Sequence, residues 1–436
     1  MHRLLIQNLL NWKEQETRKP LLLDGARQVG KSYLIEHLFG KQHFDTVHKL
    51  DFLADPTLIQ LFEDSLEPQV ILDNIEIRFN VSINLETDLI FFDEAGECQG
   101  AINSLKYFAE KMPAVYVCAS GSNIGLLDSF PVGKVHLLEL FPLCFEEFLM
   151  ASNNAGLLKA FQSQSRLKNV HDVLWKMLLD YYFVGGMPEA VDSWFSSELG
   201  MHERCEAVKQ IHKDLVAGYL RDFGKYSGKA HAQHIESVFL NIPRQLSKNI
   251  DGSVKRFTFK DVIAKKQRYT ELRSPIDWLE KTKLISKCHP INSQPTTPLA
   301  SLIKENMFKL FFFDVGLLGH VLGMEYSDQL AQKVNYKGYI AENFVQNELR
   351  ARVAYPTYSW EEARGEIEFL HKDKQGSIIP VEVKSGSRTR AKSLQSYVDR
   401  YKPKYTIKLI GSVGGNNDDT KNLVWPLYYT QFLNSL

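Results

Sequence analysis

The sequence predicts an α/β chain with a parallel-sheet domain first, a helical middle, and a second α/β domain last. Three observations carry that prediction. Gly25-Ala26-Arg27-Gln28-Val29-Gly30-Lys31-Ser32 stands between an apolar strand and a helical pattern. Asp88-Leu-Ile-Phe-Phe-Asp93-Glu94 is an apolar run closed by two carboxylates. After residue 309 the patterns read helix, three strands, helix, strand, and Glu382-Val-Lys384 closes the third strand.

Composition agrees with a folded chain. Its 436 residues suggest about three domains. Apolar residues are 44% and charged residues 24%, which excludes extended disorder or a collagen-like fibre. Lys plus Arg is 52 and Asp plus Glu is 52, so the formal charge is zero. The charges are segregated, however. Residues 41–97 hold 13 acidic and 3 basic side chains, whereas residues 253–310 hold 12 basic and 5 acidic. Such asymmetry predicts parts with different partners. Cys98, Cys118, Cys144, Cys205 and Cys288 are widely spaced with no C-x2-C pair, so neither a disulfide framework nor a zinc site is expected. Residues 1–12 read as an amphipathic helix rather than a signal peptide. No run approaches 18 apolar residues, so no membrane span is expected and the cytoplasm fits best.

The first motif matches G-x-x-x-x-G-K-[ST] in full. Leu21-Leu-Leu-Asp24 precedes it as a buried strand, and Tyr33-Leu-Ile-Glu-His-Leu-Phe39 follows it as a helix. Glycines let backbone N–H groups turn toward phosphates, and the helix N-terminus adds favourable partial charge. Lys31 would reach the β- and γ-phosphates, and the Ser32 hydroxyl would ligate Mg²⁺. Residues 25–32 are therefore the expected cradle for ATP. Asp93 would hold Mg²⁺ through water, and Glu94 would orient or deprotonate the attacking water. A third strand, Ala114-Val-Tyr-Val-Cys-Ala119, ends in Ser120-Gly121-Ser122-Asn123. Ser122 and Asn123 are candidates to sense the γ-phosphate, although an ordinary polar turn fits the same pattern.

These residues carry a resemblance. Arg18-Lys-Pro-Leu-Leu-Leu-Asp-Gly-Ala-Arg-Gln-Val-Gly-Lys-Ser32, Phe91-Phe92-Asp93-Glu94, Ser120-Gly-Ser122, Leu140-Phe-Pro-Leu-Cys-Phe-Glu-Glu-Phe-Leu149 and Gly185-Gly-Met-Pro-Glu-Ala-Val191 resemble the AAA-type P-loop ATPases of bacteria and archaea whose C-terminal half is known only as a domain of unknown function. Two positions depart from that family. Gly133-Lys134 replaces Gly-Arg, and Cys144 replaces the serine of Pro-Leu-Ser-Phe. Lys134 keeps the charge but lacks the planar fork a charge sensor uses.

Residues 151–230 read as a helical extension, with Leu174, Met177, Leu178 and Tyr181 on one face. Gly185-Gly-Met-Pro188 breaks that run. A further helix over 203–219 ends near Arg221, which could be an arginine finger or, more simply, a salt-bridged helix end. Residues 231–308 then predict three helices, over 231–247, 258–264 capped by Thr258, and 274–281 opened by Ser274-Pro275, followed by a strand over 284–289. That order is the pattern of a winged helix, as the resemblance also implies. The basic excess lies here, including Lys255, Arg256, Lys260, Lys265, Lys266, Arg268, Arg273, Lys281, Lys283 and Lys287, so DNA is the expected partner.

The last segment, 309–436, resembles the PD-(D/E)xK, restriction-endonuclease-like αβββαβ fold. Glu342 lies on its first helix, Glu368 takes the second-strand carboxylate position with Glu366 as a near alternative, and Glu382 and Lys384 form the E-x-K. The resemblance implies that Glu342, Glu368 and Glu382 hold Mg²⁺ while Lys384 orients water. Glu368 stands where the family usually has Asp, which displaces a ligand by about 1 Å. The expected divisions are therefore 1–150, 151–230, 231–308 and 309–436. Two functions fit them. One is an ATPase that acts on or binds DNA through a basic winged helix and a nuclease-like domain. The other is an ATP-dependent regulatory or protein-interaction switch whose nuclease-like domain is inactive. Self-association is compatible with either.

Overall fold

The computed structural model describes residues 2–127, 129–196, 198–248, 254–331, 337–353, 356–362, 365–385, 392–415 and 421–436. They form two compact units, Met1–Phe141 with Lys281–Lys283, and Pro142–Glu280 with Leu284–Leu436.

The first unit is built on five strands: β1 Leu21–Asp24, β2 Val47–Asp51, β3 Leu89–Asp93, β4 Tyr116–Gly121 and β5 His136–Glu139. All pair in parallel, in the order β2-β3-β4-β1-β5. Every residue of β1 and β3 is buried, as their uninterrupted apolar runs require in a sheet covered on both faces. The helix Gln99–Lys111 supplies Ala101, Ile102, Leu105 and Phe108 to a core that includes Phe52, Phe62 and Phe92. Phe62 and Phe92 meet edge to face at 5.4 Å. Parallel strands place their C-terminal ends together, and the register sets Asp24 beside Gly121 and Asp51 beside Asp93. The expected N-terminal helix is present as Ile6–Lys13, with Leu9 and Trp12 buried.

The second unit contains a seven-stranded mixed sheet. Its strands are β6 Ile285–Ile291, β7 Lys309–Phe312, β8 Thr357–Glu362, β9 Gly365–Lys372, β10 Ile378–Lys384, β11 Thr406–Ile410 and β12 Asn422–Pro426. The order is β12-β11-β10-β9-β8-β6-β7. β8, β9 and β10 form an antiparallel meander, and β11 and β12 continue it in parallel. The helix Lys392–Tyr401 makes the crossover that a parallel β10–β11 pair needs.

The middle segment differs from its sequence expectation in three ways. No helix forms over 258–264. Asp261 and Lys265 adopt φ of 64°, which a right-handed helix cannot contain, and the chain closes a small Ile263–Lys266 bridge instead. The Gln245 side chain donates to the Thr258 carbonyl at 2.8 Å and accepts from the Thr258 N–H at 2.8 Å, so Thr258 is tied to the preceding helix. The third helix starts earlier, as Tyr269–Lys281, with Pro275 inside it. Finally, β6 pairs with both β7 and β8 and is almost wholly buried, so it lies inside the large sheet rather than in a free wing.

Motifs without an evident chemical role acquire a packing role here. The helix Lys168–Val184 ends at Gly185, with φ of 72°, and the Asp314 carboxylate accepts hydrogen bonds from Gly186 N at 2.7 Å and Leu317 N at 2.9 Å. Gly185 and Gly186 are needed because a Cβ at Gly185 would lie 2.3 Å from Asp314 Oδ1, and one at Gly186 2.2 Å from the Leu143 carbonyl oxygen. Phe145 packs edge to face with Phe161, Tyr181 and Phe344. Cys144 caps its helix in a capping box with Glu147. Gly316 admits no side chain either, since its Cβ would lie 2.6 Å from the Val184 carbonyl atoms and Gly185 N. Gly316→Ala is therefore expected to destabilise the chain by about 1–3 kcal/mol. A lowered urea midpoint at unchanged slope would show it.

Candidate functional site

The phosphate-cradle motif lies at the C-terminal end of β1. Gly25 has φ of 155°, and a Cβ there would sit 2.3 Å from the Leu140 carbonyl oxygen. Gly30 has φ of 92° and Gln28 φ of 63°, so the loop doubles back before the helix opens at Lys31. Arg3 supports it from outside, donating to the Val29 carbonyl at 2.8 Å. Lys31 is buried and donates to the carbonyls of Gly25 at 3.0 Å and Ala26 at 2.9 Å and to Ser122 Oγ at 2.9 Å. Burial pulls its pKa below the ordinary lysine value, against the opposing pull of Glu94, Asp24 and Asp93. An entering phosphate would offer this ammonium a full negative charge in exchange for two carbonyl dipoles and a hydroxyl.

Asp93 closes β3 and is buried. Its Oδ1 accepts from Ser32 Oγ at 2.8 Å, Ser120 Oγ at 2.5 Å and Glu94 N at 3.2 Å. Lys49 Nζ lies 2.9 Å from Oδ2. Glu94 follows in a left-handed turn, φ 50°, and its carboxyl pKa is raised, first by burial and also by Asp93. A hydroxyl and a carboxylate that already share a hydrogen bond form an all-oxygen donor pair suited to Mg²⁺. The structure thus gathers Lys31, Ser32, Asp93 and Ser122. Asn123 stands at the N-cap of a 3-10 turn without a side-chain capping bond. Lys134 is half-buried and paired with Glu110 at 2.8 Å, and Arg221 is exposed on the helix Met201–Ser227.

Lys49 and Ser120 escaped the sequence reading. Ser120 was next to a residue already singled out, and its burial at the end of β4 is what gives it Asp93 as a partner. Lys49 reaches Asp93 only through the β2–β3 register. The alternation Lys49-Leu50-Asp51 on a strand was its one local signal.

The carboxylates of the second unit gather around two lysines. Lys384 Nζ lies 3.1 Å from Glu368 Oε1 and 2.8 Å from Glu382 Oε1. Glu368 Oε2 accepts from Val383 N at 3.1 Å. Glu342, on the helix Lys337–Arg352, accepts from Val254 N at 2.9 Å and lies 4.0 Å from the fully buried Lys309. Lys309 also pairs with Glu366 at 2.5 Å. Glu366 therefore belongs with Lys309, and Glu368 with Lys384. Burial pushes the Glu342 and Glu382 carboxyls upward, toward their neutral form. Glu368 and Glu382 thus stand with Lys384, and Glu342 with Lys309. Among the described residues no group of three or more His, Cys, Asp or Glu side chains could hold a metal ion.

Much of the basic excess is also paired. Lys255 lies 3.0 Å from Glu366, Arg256 2.7 Å from Glu361, Arg273 2.9 Å from Glu305, and Lys287 2.7 Å from Glu280. Lys260, Lys265 and Arg268 are exposed on the irregular segment that replaces the expected second helix.

Residues 17–149 match the family model described as an AAA domain. Residues 176–328 match a domain of unknown function (DUF8612), and residues 337–430 match another (DUF4143). No curated protein matches the chain. A solved structure described as "Structure of Drosophila ORC bound to DNA" is 13% identical, covering 73% of this chain and 84% of that one, with a TM-score of 0.27, too low to define a shared fold. The sheet and the family match together make the first unit an AAA-type P-loop domain, a nucleotide-binding module. The five cysteines are free, and among the described residues no helix is long and apolar enough to cross a membrane.

The buried carboxyls have a consequence for stability. Burial raises Asp314 to about 6 and Glu348 to about 7. Each folded-state carboxyl keeps a proton that the unfolded chain has already lost, so stability falls as pH rises through about 6 to 7. His212, held down to about 4 by burial, opposes this only below its ordinary range. The thermal midpoint is expected to be higher near pH 6 than near pH 8, and Glu348→Gln should flatten that slope.

Proposed function

We propose that the chain is an ATP-hydrolysing AAA-type ATPase whose nucleotide state governs DNA binding by its second unit. The observation that carries this reading is the convergence of Lys31, Ser32, Asp93 and Glu94 at the ends of β1 and β3. In it, the loop N–H groups of residues 25–32 hold the phosphates, and Lys31 moves from the Gly25 and Ala26 carbonyls to the β- and γ-oxygens. Ser32 and Asp93 hold Mg²⁺, which supplies charge neutralisation on the transferred phosphoryl group when bound. Glu94 takes up the proton of the attacking water, a role its raised pKa suits. Ser122 already hydrogen-bonds Lys31 and is placed to sense the γ-phosphate, with Asn123 beside it.

Lys31→Ala should abolish nucleotide binding. Glu94→Gln should bind ATP yet hydrolyse it at least about a hundredfold more slowly. An unchanged hydrolysis rate in Lys31→Ala would refute the assignment of the loop.

In the second unit, the exposed Lys260, Lys265 and Arg268 support a DNA-binding surface. Its affinity should fall linearly with the logarithm of salt, and Lys260→Glu with Arg268→Glu should weaken it across sequences. The order of β8 to β11 with its flanking helices supports a nuclease-like fold. In the alternative, a regulatory or protein-interaction switch, Lys309 and Lys384 neutralise the carboxylates beside them and the nuclease-like domain does not cut. Plasmid incubated with the protein and Mg²⁺ or Mn²⁺ should stay intact. Nicking that disappears in Lys384→Ala would reinstate a nuclease.

A further inference from the structure

Lys49 lies on β2 among three carboxylates. Its Nζ is 2.9 Å from Asp93 Oδ2, 3.3 Å from Glu36 Oε2 and 3.4 Å from Asp51 Oδ2. The three acids differ in setting. The Asp93 side chain is 3% exposed, Glu36 21% and Asp51 33%, so only Asp93 is cut off from water. Glu36 sits on the helical run that begins at the phosphate loop and has a second cation, Lys41, at 3.0 Å. Asp51 accepts backbone N–H bonds from Leu53 at 3.2 Å and Ala54 at 3.0 Å. Asp93 depends most on Lys49, because its other oxygen is held by two neutral hydroxyls and a backbone N–H. A buried carboxylate without a cation is strongly disfavoured.

We propose that Lys49 is the resident counter-ion of Asp93: its ammonium holds the carboxylate in the nucleotide-free site and retreats to Glu36 and Asp51 when magnesium–nucleotide enters. The proposal rests on the reading of Ser32 and Asp93 as the Mg²⁺ pair given above. When Lys49 moves toward Glu36 and Asp51 it keeps carboxylate partners, so it need not leave the cluster. Asp93 lies on one side of that shift, and Glu36 and Asp51 on the other. Lys49 is thus a positioning residue that competes with the metal for one oxygen. It sets how much Mg²⁺ the site requires.

The test is Mg²⁺ titration of the binding of a fluorescent ATP analogue to the full chain, with EDTA as the zero point. Lys49→Met keeps the apolar stem and removes the competitor. Its half-saturating Mg²⁺ concentration should fall about tenfold, the order of effect one neighbouring charge has on an ionisation constant. Lys49→Arg should stay near the native midpoint. Asp51→Asn removes one retreat position and should raise the midpoint, an opposite shift that does not require Lys49→Met to fold. In EDTA and without nucleotide, Lys49→Met should melt below the native chain, and Mg²⁺ should recover part of the difference. Midpoints for Lys49→Met and Asp51→Asn equal to the native one would overturn the proposal. Native nucleotide binding that ignores Mg²⁺ altogether would instead overturn the underlying Ser32–Asp93 reading, so the two failures are distinguishable.

Discussion

The first unit depends on one buried carboxylate. Asp93 receives hydroxyls from Ser32, on the helix after the phosphate loop, and from Ser120, on β4, and an ammonium from Lys49, on β2. Three elements therefore converge on a buried carboxylate carried by a fourth, β3. The apolar sheet supplies the platform and fixes the register, but nothing apolar can specify a point. Removing any partner leaves an anion in a water-poor setting, which is more damaging than losing an ordinary hydrogen bond. The groups expected to handle phosphate also hold the unit together in the absence of phosphate.

The second unit solves a similar problem differently. Four glutamates, 342, 366, 368 and 382, are drawn together by the sheet and one helix, and two lysines from β7 and β10 divide them into pairs. Both lysines are held above their ordinary pKa by the acids around them, so the compensation is permanent at physiological pH. The same economy appears at the surface, where carboxylates of β8 and β9 engage Lys255 and Arg256. Net basicity in a sequence window is therefore a poor guide to free positive charge. The residues to weigh are those without carboxylates nearby.

The phosphate loop, β1, β3 and β4 were legible in the sequence because their signals are local. A buried parallel strand reads as an apolar run, and glycine spacing reports the turn directly. Lys31, Ser32, Asp93 and Ser122 were named from those signals alone. Lys49 was hidden because strand register is a tertiary property. The helix expected at 258–264 failed because left-handed residues at Asp261 and Lys265 are dictated by the chain's path, and neither residue type announces them. The E-x-K was legible because its two residues are neighbours on one strand. Lys309, which takes Glu366 and approaches Glu342, lies well outside the motif. Gly185-Gly186 was legible as a break, but its reason, the Asp314 carboxylate seated against it, came from a distant part of the chain.

The placement of β6 has a consequence for synthesis. β6 ends at Ile291, and its parallel neighbour β8 begins at Thr357. As the chain leaves the ribosome, β6 can form a hairpin with β7 at once, but its other edge stays bare until β8 has emerged. The strands of the first sheet are all translated by Glu139, so that sheet can close much earlier. The nascent second unit thus leaves a strand edge unpaired for a long stretch of elongation, a setting in which pairing with another chain competes with folding. The middle segment is correspondingly unsuited to a life as a separable module. A fragment that stops before β8 would keep that edge open indefinitely.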